Sequence, residues 1–197
     1  MSDEQQLADQ PSAQQLDEGP KPAVRRRPTL AWLSMGQFGH AADPVNFNHF
    51  VARVKAEGVN IMRSPYQWSD DARIAAEIEA APADAKIVVG GASLGDDETL
   101  QIAKMLAGHK RTVDLAFGFQ RSVFGVQFKV PPNVVRAIEI HCPNILMDPF
   151  GDDPWVLEDG NTVTKLKNIP ILAVHPGDFG QGADIIVGAI RQVVEQP

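Results

Sequence analysis

From residue 29 onward, short apolar runs alternate with longer amphipathic segments, and this alternation sets the expected fold. Residues 29–33 and 59–62 read as strands, as does the run Ile87-Val88-Val89, because short apolar or β-branched runs between turn signals match buried strands. Further strands are expected over 113–119, 134–140 and 169–174. Between them, apolar residues at spacings of three and four predict helices over 46–57, 70–80, 97–108 and 185–194. Strands separated by helices imply right-handed crossovers and a doubly wound, mostly parallel sheet covered on both faces, an α/β architecture of reduced size. In such sheets ligands sit at the carboxyl ends of strands.

Residues 1–28 break this pattern, being rich in Gln, Asp, Glu, Pro and Ala and almost without aromatic or β-branched side chains. They are expected to form a flexible arm, leaving residues 29–197 as one folded domain. Pro20, Pro22 and Pro28 mark the boundary. Within the arm, Gln5-Gln6-Leu7 is echoed by Gln14-Gln15-Leu16, each followed by acidic residues, which suits either an unselected polar tail or a docking element for a larger assembly or particle.

Charge narrows the partners. A net charge of −7 argues against generic attraction to nucleic acid or anionic lipid, and the one basic run, Arg25-Arg26-Arg27, lies beside the proline-rich hinge. No apolar run approaches the roughly 20 residues that cross a bilayer. The N-terminus is acidic and Gln-rich where a signal peptide is basic and then apolar. Cys142 is the only cysteine, so no internal disulfide forms and a reducing, cytoplasmic compartment is expected.

Candidate chemistry centres on Gly91-Ala92-Ser93-Leu94-Gly95, a G-x-S-x-G sequence between the run 87–89 and a helical segment. A strand, a sharp turn and a helix are the context a nucleophile elbow requires, with small flanking residues letting the backbone bend. The same stretch also looks like the phosphate loop of a short-chain dehydrogenase. That reading fails on context: two strand and helix units precede it, a clean G-x-G-x-x-G is lacking, and the only tyrosine, Tyr66, comes before the loop with Asp70 where a lysine is needed.

With these residues the chain resembles the small, lid-poor α/β-hydrolases of the lipase, esterase and thioesterase type, of cutinase-like size, over most of residues 30–194. The resemblance rests on the pentapeptide, on Val113-Asp114-Leu115 leading the next strand, on Val130-Pro131-Pro132-Asn133-Val134 before the strand after that, and on His175 ahead of the last helix. It implies Ser93 as nucleophile and His175, after the final strand, as base. The backbone N–H of Leu94 and one from the loop near Gly36 or Gln37 would bind the oxyanion. The acid departs from the pattern. Where many relatives carry Asp after the strand that follows the elbow helix, this chain has Gln120, which can orient a histidine but brings no charge, and Asp114 is at the wrong end of that strand. Relatives with the acid one strand later point instead to Asp148, Asp152 or Asp153, which also read as an ordinary acidic turn beside Pro149, Gly151 and Pro154.

The remaining histidines offer less. His40 and His49 flank Asp43 without metal-ligand spacing, His109 closes a helix and His141 ends a strand, so neither a metal nor a cofactor is expected. Phe38, Trp68, Phe124, Phe128 and Trp155 fall in or near loops and are candidates to line a pocket. Two functional classes follow: a serine hydrolase of carboxylic esters or thioesters, and a hydrolase fold without turnover serving as a binding or structural subunit through its arm.

Overall fold

The computed structural model describes residues 27–34, 44–67, 69–121, 129–141, 154–171 and 179–197. Its strands are β1 (Thr29–Ser34), β2 (Asn60–Tyr66), β3 (Lys86–Ser93), β4 (Val113–Arg121), β5 (Val134–His141) and β6 (Lys165–Pro170). Its helices are α1 (Pro44–Ala56), α2 (Asp71–Ala80), α3 (Leu94–Gly108) and α4 (Phe179–Glu195). The strands form one sheet in the order β2-β1-β3-β4-β5-β6, every neighbouring pair parallel.

The central strands are buried on both sides, which is why they read as continuous apolar runs rather than alternating ones. On one face Phe47, Phe50 and Val54 of α1 and Ile186, Ile190 and Val193 of α4 pack against Val88, Leu115, Phe117 and Ile140. There the rings of Phe50, Phe117 and Phe119 meet edge to face at centroid distances of 5.8 to 5.9 Å. On the other face Ile74 and Ile78 of α2 and Leu100 and Leu106 of α3 cover Trp32, Ile87, Val89 and Ala116. The doubly wound α/β fold expected from the periodicity is the fold observed.

A buried lysine closes the amino edge of this sheet. Lys86 begins β3 and is fully buried, and its Nζ donates to the carbonyls of Val193 (2.8 Å), Val194 (3.2 Å) and Gln196. The last carbonyls of a helix have no partner within it and carry its negative dipole end, so an ammonium group there satisfies both.

Several boundaries differ from the periodicity, and β2 runs on to Tyr66 instead of ending at residue 62. Helix α3 begins at Leu94 rather than at residue 97, directly after β3, because the strand turns into the helix with no intervening loop. Helix α4 begins at Phe179 rather than at residue 185. The last described strand is Lys165–Pro170, which starts ahead of the expected run 169–174 and overlaps it at residues 169–170, while residues 172–174 lie outside the described ones. Among the described strands it pairs only with β5, so as an edge strand it exposes alternate residues, and Lys165 and Lys167 hide it from a search for apolar runs.

Candidate active site

The chain passes from β1 through α1 to β2 on one side and from β3 through α3 to β4 on the other. The carboxyl ends of β1 and β3 therefore flank the point where strand order reverses, the usual ligand crevice of such sheets. Ser34 ends β1 and Ser93 ends β3, with Ser34 in register with Gly91.

Ser93 is the residue at which strand becomes helix, with φ 57° and ψ −123°. A side chain at positive φ is strained by about 1 to 3 kcal/mol unless its surroundings hold it there. Gly91 supplies part of that hold, since a Cβ on it would run into the backbone carbonyl of Gly95 in the first turn of α3. A serine before a helix ordinarily turns its hydroxyl back onto the backbone N–H groups of the first turn. Ser93 makes no such bond and is half-buried. The hydroxyl is thus left for other use, and the N–H of Leu94, at the helix start, lacks an intrahelical partner.

The first turns of α3 are unusual in burying Asp96, Asp97 and Glu98 at 0%, 4% and 3% exposure. Acids at a helix N-terminus complement its dipole, but burial requires more specific partners. Asp96 has one in Trp155, whose indole N–H donates to Asp96 Oδ1 at 2.6 Å. The backbone N–H of Trp155 donates to the buried Glu139 Oε2 at 2.7 Å, and Asn168 Nδ2 donates to the Trp155 carbonyl at 2.9 Å. Gly118 of β4 makes room for this arrangement, because a Cβ there would strike the Asp96 carboxylate. Trp155 is therefore a core anchor at 1% exposure, not the pocket-lining residue its loop position suggested.

At the exits of β1 and β2, Ser34 Oγ lies 3.2 Å from the Tyr66 carbonyl and 3.4 Å from Glu98 Oε2. Burial, the neighbouring charge of Asp71 and that of Asp70 push the Glu98 carboxyl up to about 8. The Tyr66 hydroxyl is likewise raised, first by burial and then by the Glu98 charge.

Of the residues expected to act, Ser93 and Leu94 are described. Gln120 is the penultimate residue of β4, one short of Arg121, which is in register with Ser93; the Gln120 side chain lies outside the described residues. His175, Asp148, Asp152, Asp153, Gly36 and Gln37 also lie outside them, as do His40, Asp43, Cys142, Phe38, Trp68, Phe124, Phe128 and residues 1–26 of the arm. Asp114 stands at the amino end of β4, as expected, and its Oδ2 accepts the N–H of Ile87 at 2.8 Å. His109 follows the end of α3, 3.4 Å from Glu79, and His141 ends β5 with Nδ1 4.0 Å from Glu139 Oε2. No three His, Cys, Asp or Glu side chains among the described residues converge to hold a metal ion. No described helix is long and apolar enough to cross a membrane.

The acidic triplet 96–98 was visible in the sequence, but a run of acids at a helix start ordinarily reads as solvated. Its burial, and that of Glu139, depends on Trp155 and on strand exits remote in the chain.

No protein-family model matches this chain, and no curated protein is similar to it. Solved structures are. A cutinase-like protein from a Cryptococcus species superimposes with a TM-score of 0.50 at 13% identity, over 86% of this chain and 97% of that one. A protein of unknown function from Agrobacterium tumefaciens, assigned to the alpha/beta hydrolases, gives 0.50 at 10% identity, over 90% and 93%. A lid-less serine hydrolase from Xanthomonas campestris gives 0.49 at 14%, over 89% and 84%. At these identities the shared property is the fold, which is that of the small α/β-hydrolases.

Proposed function

We propose that this chain is a serine hydrolase cleaving carboxylic esters or thioesters, with Ser93 as nucleophile. The observation that carries the reading is the backbone of Ser93, held at φ 57° between β3 and α3 with Gly91 closed against Gly95. A nucleophile elbow needs a strand-to-helix turn of this kind with small flanking residues, and that likeness supports the reading.

In the mechanism so assigned, Ser93 Oγ attacks the carbonyl carbon while His175 takes its proton. The tetrahedral oxyanion is bound by the N–H of Leu94, with a second donor from Gly36 or Gln37. Collapse expels the alcohol or thiol, to which His175 returns the proton. Water then repeats the sequence on the acyl-enzyme. Chain order supports His175 as base: it follows β6, while Asp148, Asp152 and Asp153 follow β5, giving Ser, Asp, His. Those three aspartates are the candidate acids, with Gln120 the uncharged alternative.

Purified protein is expected to cleave short p-nitrophenyl esters and to label with a fluorophosphonate probe. Ser93→Ala is expected to lose both, by at least about 10³-fold in rate. A folded wild type that neither labels nor hydrolyses would overturn the proposal in favour of a binding or structural role. Among the acids, neutralisation of the true one to Asn costs about 10⁴-fold, while Gln120→Asp raises the rate if that position is the defective one.

A further inference from the structure

Near the carboxyl edge of the sheet, Gly91 of β3, Gly118 of β4, Glu139 of β5 and Asn168 of β6 stand in one row of paired residues. The two glycines carry no side chain, and the first turn of α3 lies where side chains would be. A Cβ on Gly91 would run into the Gly95 carbonyl, and one on Gly118 into the Asp96 carboxylate and the Trp155 ring. The helix that starts at Leu94 therefore rests on bare strand backbone. Glycine permits so close an approach but does not hold it.

Trp155 supplies the hold from the far half of the same row. Its indole N–H donates to Asp96 Oδ1 at 2.6 Å, its backbone N–H donates to Glu139 Oε2 at 2.7 Å, and its carbonyl accepts from Asn168 Nδ2 at 2.9 Å. All three polar groups of this buried residue are thus engaged, the indole on α3 and the backbone on β5 and β6. Away from water such bonds are electrostatically strong.

We infer that Trp155 is a positioning residue of the Ser93 site, a cross-tie whose indole holds the first turn of α3 on the Gly91 and Gly118 row, a role that rests on the hydrolase reading. Asp96 follows Ser93 by three residues and Leu94 by two, within one helical turn. A shift of Asp96 is therefore passed on to the Ser93 backbone and to the Leu94 N–H together. Nucleophile and oxyanion donor must meet one carbonyl group, and a misplacement of about 1 Å costs about 10²-fold in rate.

Trp155→Phe isolates the tie, because it keeps a ring in the core and both backbone bonds and withdraws only the indole N–H. On the full chain, well below its thermal midpoint, the rate constant for fluorophosphonate labelling is expected to fall about tenfold. With a p-nitrophenyl ester, kcat is expected to fall by the same factor while KM stays within about twofold. A labelling rate constant does not depend on how much of the sample is folded, so a residue that only stabilised the core would leave it unchanged. Asp96→Asn keeps an oxygen acceptor for the indole and is expected to label within about threefold of wild type. Trp155→Phe labelling at the wild-type rate would overturn the inference, and so would Asp96→Asn slowed to the level of Trp155→Phe, since the indole bond survives in it. Amide hydrogen exchange over residues 94–101 reads the tie without activity, and Trp155→Phe is expected to speed it about tenfold. A wild type that never labels defeats the hydrolase reading and the catalytic role with it. Exchange then separates the failures: faster exchange in Trp155→Phe retains the tie, and unchanged exchange removes it.

Discussion

Lys86 and Glu98 are both buried ionisable side chains at opposite edges of one sheet, and their surroundings differ in kind. Lys86, at the amino edge, meets three carbonyls at the end of α4. Glu98, at the carboxyl edge, has only the Ser34 hydroxyl and the Asp70 backbone N–H in favour of its charge among the described residues, and faces two aspartates. The lysine is placed where its charge is satisfied, and the fold gains a tie between β3 and its last helix. The glutamate sits where its charge is opposed, five residues along α3 from a serine at positive φ. The tie at the first edge supports the fold, and a cost is tolerated at the second, the edge where chemistry is proposed.

Removing the satisfied charge should do the most damage. Lys86→Met keeps the length of the side chain but strands the three carbonyls, and urea denaturation is expected to show a loss of about 4 kcal/mol. Removing the opposed charge should have the reverse sign. The Glu98 carboxyl sits at about 8 in the folded chain against an ordinary 4.5, so its contribution is fully present below pH 4.5 and is lost as pH rises to about 8. Glu98→Gln is therefore expected to be more stable than wild type by about 3 kcal/mol at pH 7, and equal to it at pH 4. Equal stability at both pH values would break the contrast between the two edges.

Two smaller effects sharpen it. Trp155→Phe keeps the ring in the core but withdraws the N–H from Asp96, and a loss of about 2 kcal/mol is expected in the same assay. Ser93→Gly relieves the positive φ and is expected to gain about 1 kcal/mol, whereas Ser93→Ala, which keeps a Cβ, gains nothing. A Ser93→Gly variant no more stable than Ser93→Ala would show that the backbone at Ser93 is unstrained.

How much of this could be read from the sequence varied with burial. Strands β1, β3, β4 and β5 were legible because residues such as Ile87, Val88 and Val89 are enclosed on both faces and must all be apolar. The start of β6 was missed because an edge strand alternates Lys165 and Lys167 with Leu166 and Asn168, a pattern that a search for apolar runs passes over. The turn from strand to helix at Ser93 and Leu94 was legible because a turn this tight needs glycine at Gly91 and leaves G-x-S-x-G behind. Asp96, Glu98 and Glu139 were not, since an acid's letter is the same whether it is solvated or bound to an indole and a strand exit.

The sequence by itself determined the order of elements, the parallel doubly wound sheet and the position of one serine between strand and helix, because each follows from local periodicity and local turn chemistry. Tertiary structure decided which acids are buried, what holds Trp155, and that Ser34 meets both the Tyr66 carbonyl and Glu98. Those contacts join residues 32 to 64 positions apart, and desolvation depends on everything packed around a group, a property no stretch of neighbouring letters contains.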